Sequence, residues 1–384
     1  MQDLDVIVVG GGIAGLTTAA ALRRAGHRVR VLEQTRELRP TGAGISLWSN
    51  GVKVLDALGL GADIAAIGGA MERVCYRDRD GRLLCDFSLD PLVDRVGERA
   101  YPVRRSDLQD LLLRAAGGQV GTGRRGVTIE DHPDRVVVCV EGGDRLEADV
   151  AVVADGTHSR LRSAVLGAPV ERTYVGYQNW NGIVDNAAAL GAVDSWTMHV
   201  GDGKRVSTMP VRDGQYFFFD VPTPHATTTH DDPRTILRHH FDGWSDTVVA
   251  LIEAIEPSGT ANIAIHTHDP ISSFARGRVV LVGDSAHTTA PDLGQGGCLA
   301  MEDALVLAHH LTTTSIGVPD ALARYSAERV PRTAQIMARA LKRAQLTHAH
   351  DPSRTAEWYR ELATEDGSNI IDGISESILS GPCR

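Results

Sequence analysis

The stretch that most restricts what this chain can fold into is Val6-Ile-Val-Val9, running into Gly10-Gly11-Gly12-Ile13-Ala14-Gly15 and on into an Ala/Leu-rich run. Apolar β-branched residues, then glycines, then helix formers predict strand, tight turn and helix. Gly10, Gly12 and Gly15 stand in G-x-G-x-x-G spacing, which closes the turn, brings backbone N–H groups near a pyrophosphate and packs helix on strand. The helix N-terminus, with Ile13 and Ala14 between the glycines, then meets the anion with its positive end. Arg28-Val-Arg-Val-Leu32 reads as the second strand, closed by Glu33 and Gln34, with Glu33 standing 23 residues past Gly10. A carboxylate there accepts hydrogen bonds from ribose hydroxyls, so the unit suits an adenine dinucleotide.

Charge narrows the partners. The net charge is −10 over 384 residues with no Lys/Arg block, which sets aside nucleic acid and acidic membrane surfaces. Residues 6–22 carry no charge and resemble a signal or membrane span, yet Asp3 and Asp5 stand where a signal would be basic. The chain reads as untargeted and soluble. Five cysteines (Cys75, Cys85, Cys139, Cys298 and Cys383), odd in number and without C-x-x-C, point to reduced thiols in a cytoplasmic setting.

Further along, Arg39-Pro40-Thr-Gly42-Ala-Gly44 is a glycine-punctuated loop able to lie against a flat ligand, before a helix from Asn50 to Leu58. Arg73–Arg77 and Arg82–Phe87 alternate like a hairpin across Asp78-Arg-Asp80-Gly81. Ser106 is the expected N-cap of a helix reaching about Ala115. A strand from Asp149 to Val153 runs into Asp155-Gly156, and a strand from Arg278 to Val282 into Gly283-Asp284. Between about Val170 and Ile265, aromatic residues among β-branched ones predict an antiparallel sheet with two helices against it, and Tyr216-Phe217-Phe218-Phe219 suggests either pocket wall or plain core. Gly294-Gln295-Gly296-Gly297-Cys298 precedes a helix from Leu299 to Leu311, another place where backbone amides can meet an anionic or carbonyl edge.

Other polar residues suggest no further chemistry. His266 and His268 share a strand face, but no third ligand accompanies them, so no metal site is expected. Ser159 and Ser285 lack a nucleophile elbow, and His287 reads as structural to the turn after Asp284.

Taken in order and spacing, Gly10 to Gly15 with Glu33, Asp155-Gly156, and Gly283-Asp284 with the Gly294-Gln295-Gly296 turn resemble the class A flavin monooxygenases, the para-hydroxybenzoate hydroxylase family. The resemblance implies an α/β fold: a Rossmann-type FAD-binding domain of discontinuous segments (1–71, 98–170 and 266–345), an inserted, mostly antiparallel substrate domain (72–97 and 171–265) and a helical extension (346–384). It places Arg105 near FAD, gives Asp155-Gly156 contacts to both cofactors, sets Asp284 on the ribityl chain and makes Tyr325-x-x-x-Arg329-x-x-Arg332 part of a C-terminal helix. The family commonly has Asn where this chain has Cys298.

Within that family, Asn179-Trp-Asn-Gly182, Gly203-Lys-Arg205-Val-Ser207, Tyr216-Phe-Phe-Phe-Asp220, Pro291-Asp292-Leu-Gly-Gln-Gly-Gly-Cys298 and Ile378-Leu-Ser-Gly-Pro382 are similar to the bacterial FAD-dependent urate hydroxylases. By that likeness Arg205 and Tyr216 contact the purine, and Asp292 lies between substrate and flavin. The implied reaction takes electrons from NADH, forms a flavin C4a-hydroperoxide with O₂ and hydroxylates urate at C5. The alternatives are a hydroxylase of a phenolic acid and a redox-silent FAD-binding protein. Oligomeric state is not legible in these residues.

Overall fold

The computed structural model describes residues 3–38, 43–185, 192–227, 231–313 and 316–383. Most of the glycine-punctuated loop, residues 39–42, lies outside them. The chain opens with β1 (Asp5–Val9), α1 (Ile13–Arg24) and β2 (Arg28–Leu32), then β3 (Gly44–Leu47), α2 (Ser49–Ala57) and α3 (Gly61–Ile67). A hairpin of β4 (Arg73–Asp78) and β5 (Leu83–Ser88) is followed by α4 (Asp90–Val96), β6 (Tyr101–Arg104) and α5 (Arg105–Ala115). Next come the meander β7 (Gly126–Asp131), β8 (Val136–Val140) and β9 (Arg145–Ala148), then β10 (Val150–Val153) and the short α6 (Ser163–Leu166). Four long strands, β11 (Thr173–Asp185), β12 (Ser195–Gly201), β13 (Lys204–Val211) and β14 (Gly214–Pro222), lead to α7 (Pro233–His240), α8 (Asp246–Ala254) and β15 (Ala261–Thr267). The chain closes with β16 (Ala275–Arg276), β17 (Val279–Leu281), α9 (Asp284–His287), α10 (Gly296–Thr313), α11 (Val318–Thr347), α12 (Pro352–Leu362) and α13 (Ser368–Leu379).

Two sheets organise these elements. In the first, ordered β16-β17-β10-β1-β2, the four strands from β17 to β2 are parallel and β16 is an antiparallel edge. Val6, Ile7, Val8, Val150, Ala151, Val152 and Leu281 are fully buried, as expected for parallel strands covered on both faces. The glycines after β1 are sterically required. A Cβ on Gly10 (φ +118°) would lie 2.2 Å from Ala154 O, and one on Gly15 would lie 1.9 Å from Gly10 O. Helix and strand therefore approach closer than any side chain allows.

The second sheet, ordered β15-β11-β14-β13-β12-β4-β5, is antiparallel apart from the β12–β4 pair. Its strands alternate. Phe217, Phe219 and Val221 of β14 join Trp180, Leu237, Phe241, Trp244 and Leu251 in a core beneath α7 and α8. Tyr216, Phe218 and Asp220 therefore point to the opposite face. The aromatic run thus serves both purposes, half of it core and half of it facing the site.

Two local expectations need correction. Ser106 lies inside the helix: α5 begins at Arg105, two residues before the start that a Ser106 cap implies, and no side chain among the described residues caps it. The reason is the β3–β6 pairing, which carries on into an Arg105 N–H bond to Ala43 O at 3.0 Å. Helix α10 starts at Gly296 rather than Leu299, which puts Gly296, Gly297 and Cys298 in its first turn, where amides lack intrahelical acceptors.

Candidate active site

Parallel pairing gathers residues far apart in sequence. Gly10, Ala154-Asp155 and Gly283-Asp284 each follow the C-terminal end of a strand, and β1, β10 and β17 are successive neighbours. Ligands of open α/β sheets bind at such ends. Here the glycines leave room: a Cβ built on Gly12 or Gly156 meets nothing within 4 Å. Asp155 Oδ2 accepts from the amides of Arg160 (3.1 Å) and Leu161 (3.4 Å), while its buried Oδ1 has no partner among the described residues. Glu33 holds its turn through the amides of Gly11 and Thr35, both at 2.8 Å, beside the exposed Gln34. Asp284 is exposed at the start of α9. Open space, amides, a helix N-terminus and an acidic residue at the end of β2 fit an adenine dinucleotide.

A residue absent from the sequence expectations ties this rim together. Arg162, 4% exposed, donates from Nε to Ser285 O (2.5 Å) and from Nη2 to Asp284 O (3.0 Å). Burial lowers its pKa somewhat, against the pull of Asp155 and Asp284. Beneath the rim, Asp303 accepts from Gly283 N–H (2.8 Å) and Arg329 Nε (2.7 Å) and sits 2.7 Å from His287 Nε2. Burial alone would raise the Asp303 carboxyl, but His287 and Arg329 outweigh it and hold the pKa at about 2. His268 is likewise engaged by backbone, with Nδ1 2.7 Å from Asp269 O and Nε2 accepting from Thr288 N–H.

The glycine turn is braced from below. Gln295 Oε1 accepts from Asn50 Nδ2 at 2.9 Å, and the same Asn50 nitrogen reaches Glu302 Oε1 at 2.7 Å. Glu302 is itself held by Arg329 and Arg332. Gly294 takes φ +62°, and a Cβ there would strike Trp48 Nε1 at 2.8 Å. The Cys298 side chain is fully buried, packed so closely that a Cβ on Gly51 would lie 2.9 Å from its Sγ. Burial pushes this thiol up to about 12, so any contact above the turn falls to the Cys298 amide.

On the second sheet, register fixes a polar row. Asn179, Asp220 and Arg205 are directly opposed on β11, β14 and β13 and so share a face. Arg205 Nε donates to Asp220 Oδ2 at 2.8 Å, and Asn179 Nδ2 donates to Asp220 Oδ1 at 2.7 Å. Asn181 Nδ2 supports Asn179 Oδ1 at 2.8 Å. Arg205 Nη2 also reaches Asp292 Oδ1 at 3.2 Å, and Tyr177 donates to Asp292 Oδ2 at 2.6 Å. Burial works against the Arg205 charge, but Asp220 and Asp292 more than offset it and its pKa is raised. Burial likewise opposes the Asp292 carboxylate, yet Arg205 and His348 hold its pKa at about 2.

Tyr216 lies on the same face, half-buried, its ring against Gly44, where a Cβ would come within 2.4 Å. Burial, countered by the Arg105 charge, leaves its phenol at about 12 and hence protonated. The structure thus brings Arg205 and Asp292 into contact, with Tyr216 on the same sheet face. Tyr177, Asp220 and His348 were not singled out from sequence as site residues. Strand alternation was the available signal for Asp220, since it stands two residues from Phe218 and four from Tyr216 on the same face of β14. Nothing marked His348.

A family model described as "FAD binding domain" matches residues 3–340. An FAD-dependent urate hydroxylase from Mycolicibacterium vanbaalenii is 44% identical over 385 residues, covering 99% of this chain and 98% of that protein. The Klebsiella pneumoniae FAD-dependent urate hydroxylase is 44% identical over 383 residues, covering 99% and 100%. The crystal structure of Klebsiella pneumoniae HpxO complexed with FAD and uric acid superposes with a TM-score of 0.95 at 43% identity, covering 99% of this chain and 98% of that one. With a dinucleotide cradle at the ends of β1, β10 and β17 and these full-length matches, the chain belongs to the FAD-binding-domain family of class A flavin monooxygenases.

Proposed function

We propose that this chain is a single-component FAD monooxygenase that uses NADH and O₂ to hydroxylate urate at C5. One urate, one NADH with a proton, and one O₂ give 5-hydroxyisourate, NAD⁺ and water. The observation that carries this reading is the state of Arg205. Nε and Nη2 are committed to carboxylates, and no described residue takes Nη1, on a guanidinium only 5% exposed. A preoriented, desolvated cation with one nitrogen to spare suits a planar anion, and urate is anionic near neutral pH.

FAD, when bound, supplies the electron storage and oxygen activation that side chains lack. Gly10, Gly12, Ile13, Ala14 and Gly15 would hold its pyrophosphate, Glu33 and Gln34 its ribose, and Arg105, Asp155 and Asp284 the stretch toward the ring. The amides of Gly294, Gln295, Gly296, Gly297 and Cys298 would meet the pyrimidine edge, where the α10 N-terminus favours negative charge.

This chain's own work lies in binding and charge. Arg205 stabilises the urate anion and lowers the cost of its further ionisation, which makes C5 more nucleophilic. Tyr216, protonated throughout the working range, donates a hydrogen bond that orients the purine. Asp292 stays ionised and keeps the guanidinium aimed. The five cysteines are all free thiols, which suits a reducing, cytoplasmic setting. Among the described residues, no helix is long and apolar enough to cross a membrane.

Stopped-flow reduction of the bound flavin by NADH, run across purines and phenols, tests the reading. Urate should accelerate reduction. Acceleration by hydroxybenzoates in its place would reassign the pocket to a phenolic acid.

A further inference from the structure

His348 touches three parts of the site at once, and the chemistry described above gives it no task. It ends α11, is 4% exposed and stacks on the Tyr177 ring, with centroids 3.9 Å apart at 27°. Its Nδ1 lies 3.2 Å from Gly203 O, in the turn that leads into the Arg205 strand. Its Nε2 lies 3.3 Å from Asp292 Oδ1, at ion-pair distance without aligned hydrogen-bond geometry. Carbonyl and carboxylate only accept, so the ring lies between an acceptor at Nδ1 and an acceptor at Nε2.

The surroundings show that this approach is built in. A Cβ on Gly203 (φ +70°) would lie 2.6 Å from Ala349 Cβ, and Ala349 itself takes φ +56°. Gly203 N–H also donates to Tyr359 Oη at 3.1 Å. The end of α11 is therefore pressed against the β12–β13 turn, and the imidazole spans from that turn to Asp292. The Asp292 carboxylate is held at both oxygens: Tyr177 binds Oδ2, and Arg205 and His348 face Oδ1.

We propose that His348 and Tyr177 are positioning residues, which together fix Asp292 so that Arg205 keeps its third nitrogen turned to the substrate. This rests on the urate hydroxylase reading. A carboxylate free to rotate would draw the guanidinium with it, weaken urate binding and loosen the link between NADH oxidation and hydroxylation.

Three variants test this. Tyr177→Phe keeps the stacked ring and removes the hydroxyl. His348→Asn keeps a donor for Gly203 O but does not reach Asp292, whereas His348→Gln keeps a donor near the Nε2 position. Each is assayed for FAD content, flavin spectrum, kcat and KM for urate, and product formed per NADH. Tyr177→Phe and His348→Asn should raise KM about tenfold and lower product per NADH at parental FAD content, and His348→Gln should recover most of both. A purely structural lesion would reduce the active fraction, and so kcat, with KM unchanged. An active parent whose His348→Asn and His348→Gln variants match each other, whether both impaired or both unaffected, overturns the positioning role alone. A parent that does not turn over urate overturns the functional reading, and this proposal with it.

Discussion

Arg205 and Asp220 face each other across the β13–β14 ladder, each nearly or fully buried, with Nε 2.8 Å from Oδ2. The pair joins sheet register to substrate recognition, because the strand pairing that forms the sheet also aims the guanidinium. Asp220→Asn keeps the shape and removes the charge. Breaking a buried pair by removing one partner costs about 3–5 kcal/mol. The variant should melt several degrees lower and bind urate more weakly while retaining FAD. Differential scanning calorimetry with urate titration checks both, and a parental Tm with parental affinity would contradict this reading of the row.

At the cofactor end, Glu33→Arg places a cation where the ribose meets an acceptor, and it removes the carboxylate that binds the Gly11 and Thr35 amides. Loss of a charged hydrogen bond is worth about 1.5–3 kcal/mol. FAD affinity, followed by flavin fluorescence on titrating the apoprotein, should fall at least tenfold. Equal retention by variant and parent would remove Glu33 from the cofactor site.

Acid stability follows from two buried carboxyls. Asp292 and Asp303 sit at about 2 in the fold, against about 3.9 for an ordinary aspartate. Their folded values are depressed, so the stabilisation is present above about pH 4 and lost as pH falls from there toward 2. At about 1.4 kcal/mol per unit, each contributes about 2 kcal/mol. Urea unfolding from about pH 7 down to about pH 2 should show this loss, most of it below about pH 4. Asp303→Asn should be less stable at neutral pH and show a shallower acid dependence, and an unchanged slope would assign the loss elsewhere.

Cys298→Asn introduces the residue the family commonly has at this place. Because Sγ already packs tightly over Gly51, the larger amide overfills the site, and such overpacking costs about 1–3 kcal/mol. Thermal unfolding should register that loss. In the parent, Cys298 should resist thiol reagents until the protein unfolds, since burial holds the thiol at about 12. Rapid labelling of Cys298 in the folded protein would contradict the placement.

The first βαβ unit was legible from sequence because its glycines and Glu33 are close along the chain and each answers to a local requirement. The long strands of the second sheet were legible from composition, but their register was not. Without register, Asp220 had no stated partner and the Phe217 side of the aromatic run could not be told from the Tyr216 side. His348 was invisible for a similar reason: it lies 56 residues beyond Asp292, and only the packing of α11 against the β12–β13 turn brings it near. Ser106 misled because strand pairing, rather than a side chain, decides where α5 starts.

The most direct test of the account is steady-state kinetics with product analysis, comparing the parent with Arg205→Gln. The parent should consume NADH and O₂ in a urate-dependent manner and yield about one 5-hydroxyisourate per NADH. Arg205→Gln removes one charge-assisted contact, and its kcat/KM for urate should fall about ten- to hundredfold with FAD content unchanged. A parent indifferent to urate, or an Arg205→Gln variant as fast as the parent, would contradict it.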